Sequence, residues 1–251
     1  MRGRYPAHTF AYSFGPGPWT PAIKAIVLTN VAVFLLDWLL ARTSGVTLTS
    51  VFGLRPVAVI EGLQIWQLGT YLFLHGGVFH LLFNMLALWM FGVELERMWG
   101  TRYFVKYYAI TGVAAGVTVV IGALTPFGGA SYVVPTVGAS GAIYALLLAY
   151  ALYFPNRPIY LYFVFPIPAK YFVMIIGAIA FLAAAEGTGG GVAHLAHLGG
   201  LVAGYLYLKR RRLNLIAEIQ YRYLKWKINR TRRRFDVYSG GRADDVNRRV
   251  H

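Results

Sequence analysis

The stretch GASGAIYALLLAYALYF, residues 138–154, contains no charged residue and passes from a small-residue start into an apolar run that stops at Pro155. From Ser140 onward it reads as one short, fully apolar helix. Five more apolar segments flank it, giving spans of about 23–40, 78–91, 103–124, 140–154, 171–185 and 192–208. Turn formers punctuate their ends: Gly76-Gly77, Gly100, Pro126 with Gly128-Gly129, Pro155 with Pro158, and 187–191. None of the six reads as a strand. Several approach the roughly 20 residues that a bilayer-crossing helix needs.

Composition agrees with a chain whose solvent is lipid. Of 251 residues, 57% are hydrophobic and only 13% charged, with a mean hydropathy of +0.53, whereas soluble domains run at about 45–50% apolar and about 25% charged. The expected fold class is therefore all-α: a polytopic membrane bundle of six transmembrane helices with a basic cytoplasmic tail. Cysteine is absent, which excludes disulfides, thiolate metal sites and a cysteine nucleophile. Residues 1–20 carry Arg2 and Arg4 but no compact apolar core with a cleavage site, so no removable signal peptide is expected.

Charge sets the orientation. The net charge is +15, and the residues after Leu208 hold fourteen Lys and Arg against four Asp and Glu. Six crossings put both termini on one side, and Lys209-Arg210-Arg211-Arg212 places that side in the cytoplasm. The second loop (Arg97, Arg102) and the fourth (Arg157, Lys170) agree, while 125–137 carries no charge and faces outward. The expected organisation is an N-terminal cytoplasmic segment (1–22), a six-helix domain (23–208) and a basic tail (209–251), in a prokaryotic cell membrane.

Two other regions lie outside the spans. The first loop, 41–77, is long and keeps hydrophobic residues such as Val51, Phe52, Leu54 and Trp66, which suits a segment lying in the interface beside the bundle. In the tail, Leu215, Ile219, Tyr223 and Trp226 form an apolar stripe amid basic residues across 209–234. That pattern fits a surface helix on anionic lipids, or else a solvated segment that only sets topology. Nucleic acid is not an expected partner, and beyond Phe235 no periodicity survives.

Chemistry concentrates in three places. At the start of the fourth span, Ser140 stands between Gly138-Ala139 and Gly141. A serine there is ordinarily a helix cap, but the flanking glycines let another backbone approach its hydroxyl. A span of fifteen residues rises only about 22 Å against a core of about 30 Å, so Ser140 should sit below the outer surface. This is not the G-x-S-x-G elbow, because position 142 is Ala. In the last span, His194 and His197 lie at membrane depth, where polar side chains are costly and mark function. His197, Gly200 and Gly204 share one face at spacings i, i+3, i+7. Close packing there would bring His197 to Ser140 as a base to its nucleophile.

The third place is the start of the second span, where His80 and Asn84 lie one turn apart. Two neutral donors side by side suit a developing oxyanion, and they equally suit interhelical hydrogen bonding. Asp37 is the only Asp or Glu in the core of any span, so the reading is a dyad rather than a triad. Tyr144, four residues after Ser140, could orient the imidazole by stacking. Metal binding is the rival use of His75, His80, His194 and His197, but H-E-x-x-H is absent and no carboxylate accompanies them, so no metal or other cofactor is expected.

Taken together, His75, His80 and Asn84, then Gly138-x-Ser140-Gly141, then His194, His197, Gly200 and Gly204 resemble the rhomboid family of intramembrane serine proteases over about residues 66–208. Glu96-Arg97-x-x-Gly100 is similar to the turn that family carries after its second helix. The resemblance implies a six-helix core and a catalytic Ser140–His197 dyad. It also implies oxyanion donors at His80 and Asn84, with Gly138 and Tyr144 in support. The implied reaction is acyl transfer on transmembrane protein substrates within the lipid bilayer. One departure stands out: many members have Trp-Arg in the first loop, and this chain has Trp66-Gln67, which removes an ionic anchor. The alternative reading is a catalytically silent relative that binds membrane helices without cutting them.

Overall fold

The computed structural model describes residues 15–125, 132–161, 165–185, 191–212 and 225. Helix α1 (Pro21–Thr43) opens on a proline, whose missing N–H would have had no helical acceptor in any case. Its other free N–H groups are met by a carboxylate from elsewhere: Glu96 accepts from Ala22 N at 2.9 Å and Ile23 N at 3.1 Å, and from the Thr20 hydroxyl. An anion at a helix N-terminus is favourable for both hydrogen bonding and the helix dipole.

Three short helices, α2 (Thr49–Phe52), α3 (Pro56–Ile60) and α4 (Gln67–Thr70), and a 3-10 turn (Tyr71–Phe73) fill the first loop. This loop does more than lie beside the bundle, since Leu54, Tyr71, Leu72 and Leu74 are buried in the core. Helices α5 (Val78–Trp99) and α6 (Thr101–Ala123) follow, separated by Gly100 alone, at φ 79°. That left-handed backbone is accessible to glycine at little cost. Helix α5 runs well past the expected end at 91. Its charged last turns are absorbed: Glu96 caps α1, and Arg97 donates to Pro16 O at 2.6 Å and Pro18 O at 2.9 Å.

Helices α7 (Ser140–Tyr153), α8 (Ala169–Ala185) and α9 (Gly191–Arg212) complete the bundle. All six apolar segments are thus helical. Helices α1, α5 and α6 are long and apolar enough to cross a membrane, while α7 has 14 residues and α8 has 17. Between α7 and α8 the all-α expectation is corrected: strands β1 (Pro158–Leu161) and β2 (Phe165–Pro168) pair antiparallel. Prolines at 158, 166 and 168 forbid helix there. The tail stripe from Leu215 to Trp226 lies outside the described residues, although α9 carries the helix through Lys209 to Arg212.

Helix α7 occupies the centre and packs against α5, α6 and α8. Its buried residues run round the whole cylinder: Gly141, Ala142, Ile143, Ala145, Leu146, Leu147, Ala149, Tyr150 and Ala151. A helix apolar on all sides belongs inside a bundle. Its small residues matter to α9, because a Cβ at Gly200 would fall 2.0 Å from Gly141 O. The two backbones are in direct contact there.

Candidate active site

Ser140 is the first residue of α7, whose N-cap is Ala139, a residue with no polar side chain to cap it. Ser140 Oγ lies 2.8 Å from His197 Nε2. The glycine face of α9 accounts for the approach. Beyond the Gly200 contact, a Cβ at Gly204 would meet Tyr107 Oη at 2.6 Å and Ala145 Cβ at 3.0 Å, and one at Gly199 would meet Thr118 Oγ1 at 2.4 Å. With side chains removed from that strip, the helices close until the imidazole one turn earlier reaches the hydroxyl.

Among the described residues, no carboxylate pairs with the imidazole. His197 Nδ1 is buried without a hydrogen-bond partner. The Tyr144 ring lies flat against His197, centroids 4.1 Å apart and planes 2° from parallel. Because Tyr144 sits one turn beyond Ser140 on α7, a single rigid helix presents both the hydroxyl and the plate that holds the ring.

Across the site stands His80. Its Nδ1 faces Gly76 N–H at 3.4 Å, a contact that assigns the ring proton to Nε2. That Nε2 edge lies against Gly138, where a Cβ would come within 2.8 Å of both Cε1 and Nε2 and 3.8 Å from Ser140 Oγ. Gly138 also has φ +122°, so this position demands glycine for both space and backbone. Asn84 is 7% exposed and uses one amide N–H along its own helix, donating to His80 O at 2.8 Å. The structure therefore places His80 beside Ser140 and gives Asn84 a bond to the backbone of α5.

The remaining histidines form two edge-on pairs, His75 with His80 at 5.0 Å and His194 with His197 at 5.7 Å. Among the described residues, no three His, Cys, Asp or Glu side chains converge as metal ligands.

Two supports were not visible in the residue pattern. Tyr71, 1% exposed, accepts Gly138 N–H on its carbonyl at 2.9 Å and donates its hydroxyl to Gly112 O at 2.8 Å, so it wedges the strand that leads into Ser140. The sequence hint is the pair of glycines on α6: Gly116 leaves room for the Tyr71 ring and Gly112 for the neighbouring Leu72. Leu54 and Thr136 exchange backbone hydrogen bonds of 2.9 and 2.8 Å and tie the first loop to the same approach. Gln67, where an arginine was absent, is fully buried. It accepts from Arg55 N at 3.0 Å and donates to Val51 O at 3.1 Å, so amide bonds anchor this loop where charge does not.

Residues 62–211 match the Rhomboid domain. Similar proteins include rhomboid protease GluP of Bacillus subtilis (strain 168), 35% identical over 199 residues covering 78% of this chain and 36% of that protein. Rhomboid protein 1, mitochondrial, of Saccharomyces cerevisiae is 35% identical over 136 residues, 54% of this chain and 38% of that one. RHOMBOID-like protein 4 of Arabidopsis thaliana is 34% identical over 220 residues, 75% and 51% of the two chains. The chain thus spans between about a third and about half the length of these relatives. Since the matched domain takes in more than half of its residues and its helices include three of membrane-crossing length, the chain belongs to the rhomboid family of integral membrane proteins.

Proposed function

We propose that this chain is an intramembrane serine endopeptidase that cuts membrane-spanning segments of other proteins through an acyl-enzyme. The observation that carries this reading is the 2.8 Å Ser140 Oγ–His197 Nε2 contact, made inside a helical bundle with the imidazole held flat against Tyr144. In the first step His197 Nε2 takes the Ser140 proton as Oγ attacks the substrate carbonyl carbon. The tetrahedral oxyanion is met by His80 Nε2–H, by the second amide N–H of Asn84, and by the Ser140 backbone N–H, which has no intrahelical acceptor at the start of α7. His197 then returns the proton to the leaving amine. Water, deprotonated by the same nitrogen, hydrolyses the acyl ester.

We further read α1 and α5 to α9 as six crossings, with the Ser140 end toward the outer side and both termini in the cytoplasm. Substrates are membrane helices whose outer portion unwinds readily, because a carbonyl inside an intact helix is hydrogen-bonded and shielded. Glycine or proline near the cut lowers that cost. The test is cleavage of a single-span reporter in liposomes alongside labelling by a fluorophosphonate. Wild type should cut and label on Ser140, and Ser140→Ala should do neither. A Ser140→Ala protein that still cuts, or a label on another serine, overturns the assignment.

A further inference from the structure

The hairpin between α7 and α8 has apolar surface that the protease reading leaves unused. Tyr160 is 54% exposed and Phe165 63% exposed, on strands whose whole sequence, PIYL and FPIP, carries no charge. The base is fixed rigidly to the bundle. Ala169 N–H donates to Arg157 O at 2.9 Å and Lys170 N–H to Pro155 O at 3.1 Å, while Ile159 is buried.

The register decides what kind of surface this is. The Ala169–Arg157 bond makes that pair a hydrogen-bonded one, so in an antiparallel ladder the next pair, Pro158 with Pro168, is not, and Tyr160 with Pro166 is not either. At these positions the backbone nitrogens point outward from the hairpin. Three of the four are proline nitrogens, so the outer edge of β2 offers no N–H donor over 165–168 and that of β1 offers only Tyr160 N–H. An edge with no more than one donor is a poor template for a further strand, since little but its carbonyls can pair. The prolines thus remove three of the four outward N–H groups that would be costly against hydrocarbon, and the outward carbonyls keep the edges within reach of headgroups and water rather than deep in the acyl chains.

Charge marks where water ends. Arg157, below β1, pairs with Glu94 and lies over the Phe154 ring at 4.9 Å. Lys170, just after β2, lies over the Tyr171 ring at 4.9 Å. Cation-bearing aromatics of this kind belong to the membrane–water boundary. The hairpin thus begins at that boundary, between two apolar helices.

We propose that the β1–β2 hairpin is a lipid-contacting wedge, seated in the leaflet at the Arg97–Arg157 end of the bundle with Tyr160 and Phe165 in the acyl–headgroup region. Its occupant is lipid rather than a protein strand, because its side chains are apolar and its two edges offer a single outward N–H, that of Tyr160. The reading does not depend on protease activity.

The absence of cysteine makes the test direct. Single variants Tyr160→Cys, Phe165→Cys and, in the exposed turn beneath the strands, Asn156→Cys carry an environment-sensitive fluorophore on the full chain. The labelled proteins are reconstituted in phosphatidylcholine–phosphatidylglycerol liposomes. Expected is strong quenching at 160 and 165 by phosphatidylcholine brominated on its acyl chains, at least about twofold above that at 156, with the reverse order for aqueous iodide. Iodide quenching at 160 and 165 equal to that at 156 places the hairpin in water and overturns the proposal. Protection from both quenchers means protein cover and overturns it too. Two sites on opposite faces guard against one variant misfolding, and an unchanged thermal midpoint identifies folded protein.

Discussion

Near one end of α5, the buried carboxylate of Glu96 is saturated. It accepts from Ala22 N, Ile23 N and the Thr20 hydroxyl, and from the Thr101 hydroxyl at 2.7 Å. Near the other end, both ring nitrogens of His75, His194 Nδ1 and His197 Nδ1 are buried and make no hydrogen bond among the described residues. Buried polar groups in proteins are normally paired, and exceptions need a reason. Among the described residues Trp99 Nε1, at the Glu96 end, is unmatched as well, so the contrast lies between one carboxylate fully used in joining helices and a cluster of imidazoles that is not. Glu96 holds together α1, α5 and the start of α6, whereas the imidazoles are the hydrogen-bonding capacity on which the proposed reaction would draw.

Substitutions can break that contrast. The most severe is Gly200→Ala, which belongs to neither class, because its Cβ would meet the Gly141 carbonyl at 2.0 Å. It should lower stability by about 4 kcal/mol or more and remove cleavage together with the fold, measured as loss of both the thermal transition and reporter cutting. Next come the two classes themselves. Ser140→Ala should reduce cleavage by at least about 10⁴-fold with an unshifted thermal midpoint. Glu96→Gln should do the converse, costing about 2–4 kcal/mol of stability by weakening several charge-assisted bonds while turnover of the folded protein stays near wild type. If Glu96→Gln is inactive yet fully stable, the division fails.

Smaller effects sharpen the picture. His80→Ala should slow cleavage by about 10²–10³-fold, the usual loss for one oxyanion donor. Asn84→Ala should lose less turnover and more stability than His80→Ala, because its bond to His80 O is internal to α5; equal losses of turnover would make Asn84 a full donor. The mildest is Tyr144→Leu. Removing an aromatic stack worth about 0.5–1.5 kcal/mol should cost about 3- to 10-fold in turnover, with substrate KM unchanged. A Tyr144→Phe protein keeps the ring and should recover most of the loss.

Much of this was legible in the sequence because lipid imposes a simple grammar. Every apolar segment had to be helical, and each proved so. The Ser140–His197 approach was foreshadowed by Gly200 and Gly204, whose spacing lets helices pack closely. What escaped the reading has physical reasons. Helix ends at Trp99 and Arg212 lie beyond where charge begins, since a charge paired or solvated at a terminus does not stop a helix. The hairpin was hidden because apolar residues among prolines look the same in a loop and in a two-stranded ladder. Tyr71 and Gln67 act through bonds to backbone far away in sequence, and no local pattern encodes those partners.

The Leu54–Thr136 ladder and the Tyr71–Gly138 bond join segments more than sixty residues apart, which has a consequence for how the protein is made. A ribosome delivers the first loop, α5 and α6 before residues 132–138 exist. The loop can therefore dock on Gly112 and Gly116 and wait as a template. When the later segment arrives, closing the long loop between them costs entropy that grows only logarithmically with its length, and Ser140 is placed as the last backbone bridge forms. Chains whose first loop docks late should pass through a membrane-inserted state with all helices formed and Ser140 out of register. A time-resolved fluorophosphonate chase after synthesis into nanodiscs would then lag behind helix insertion by the time that docking takes.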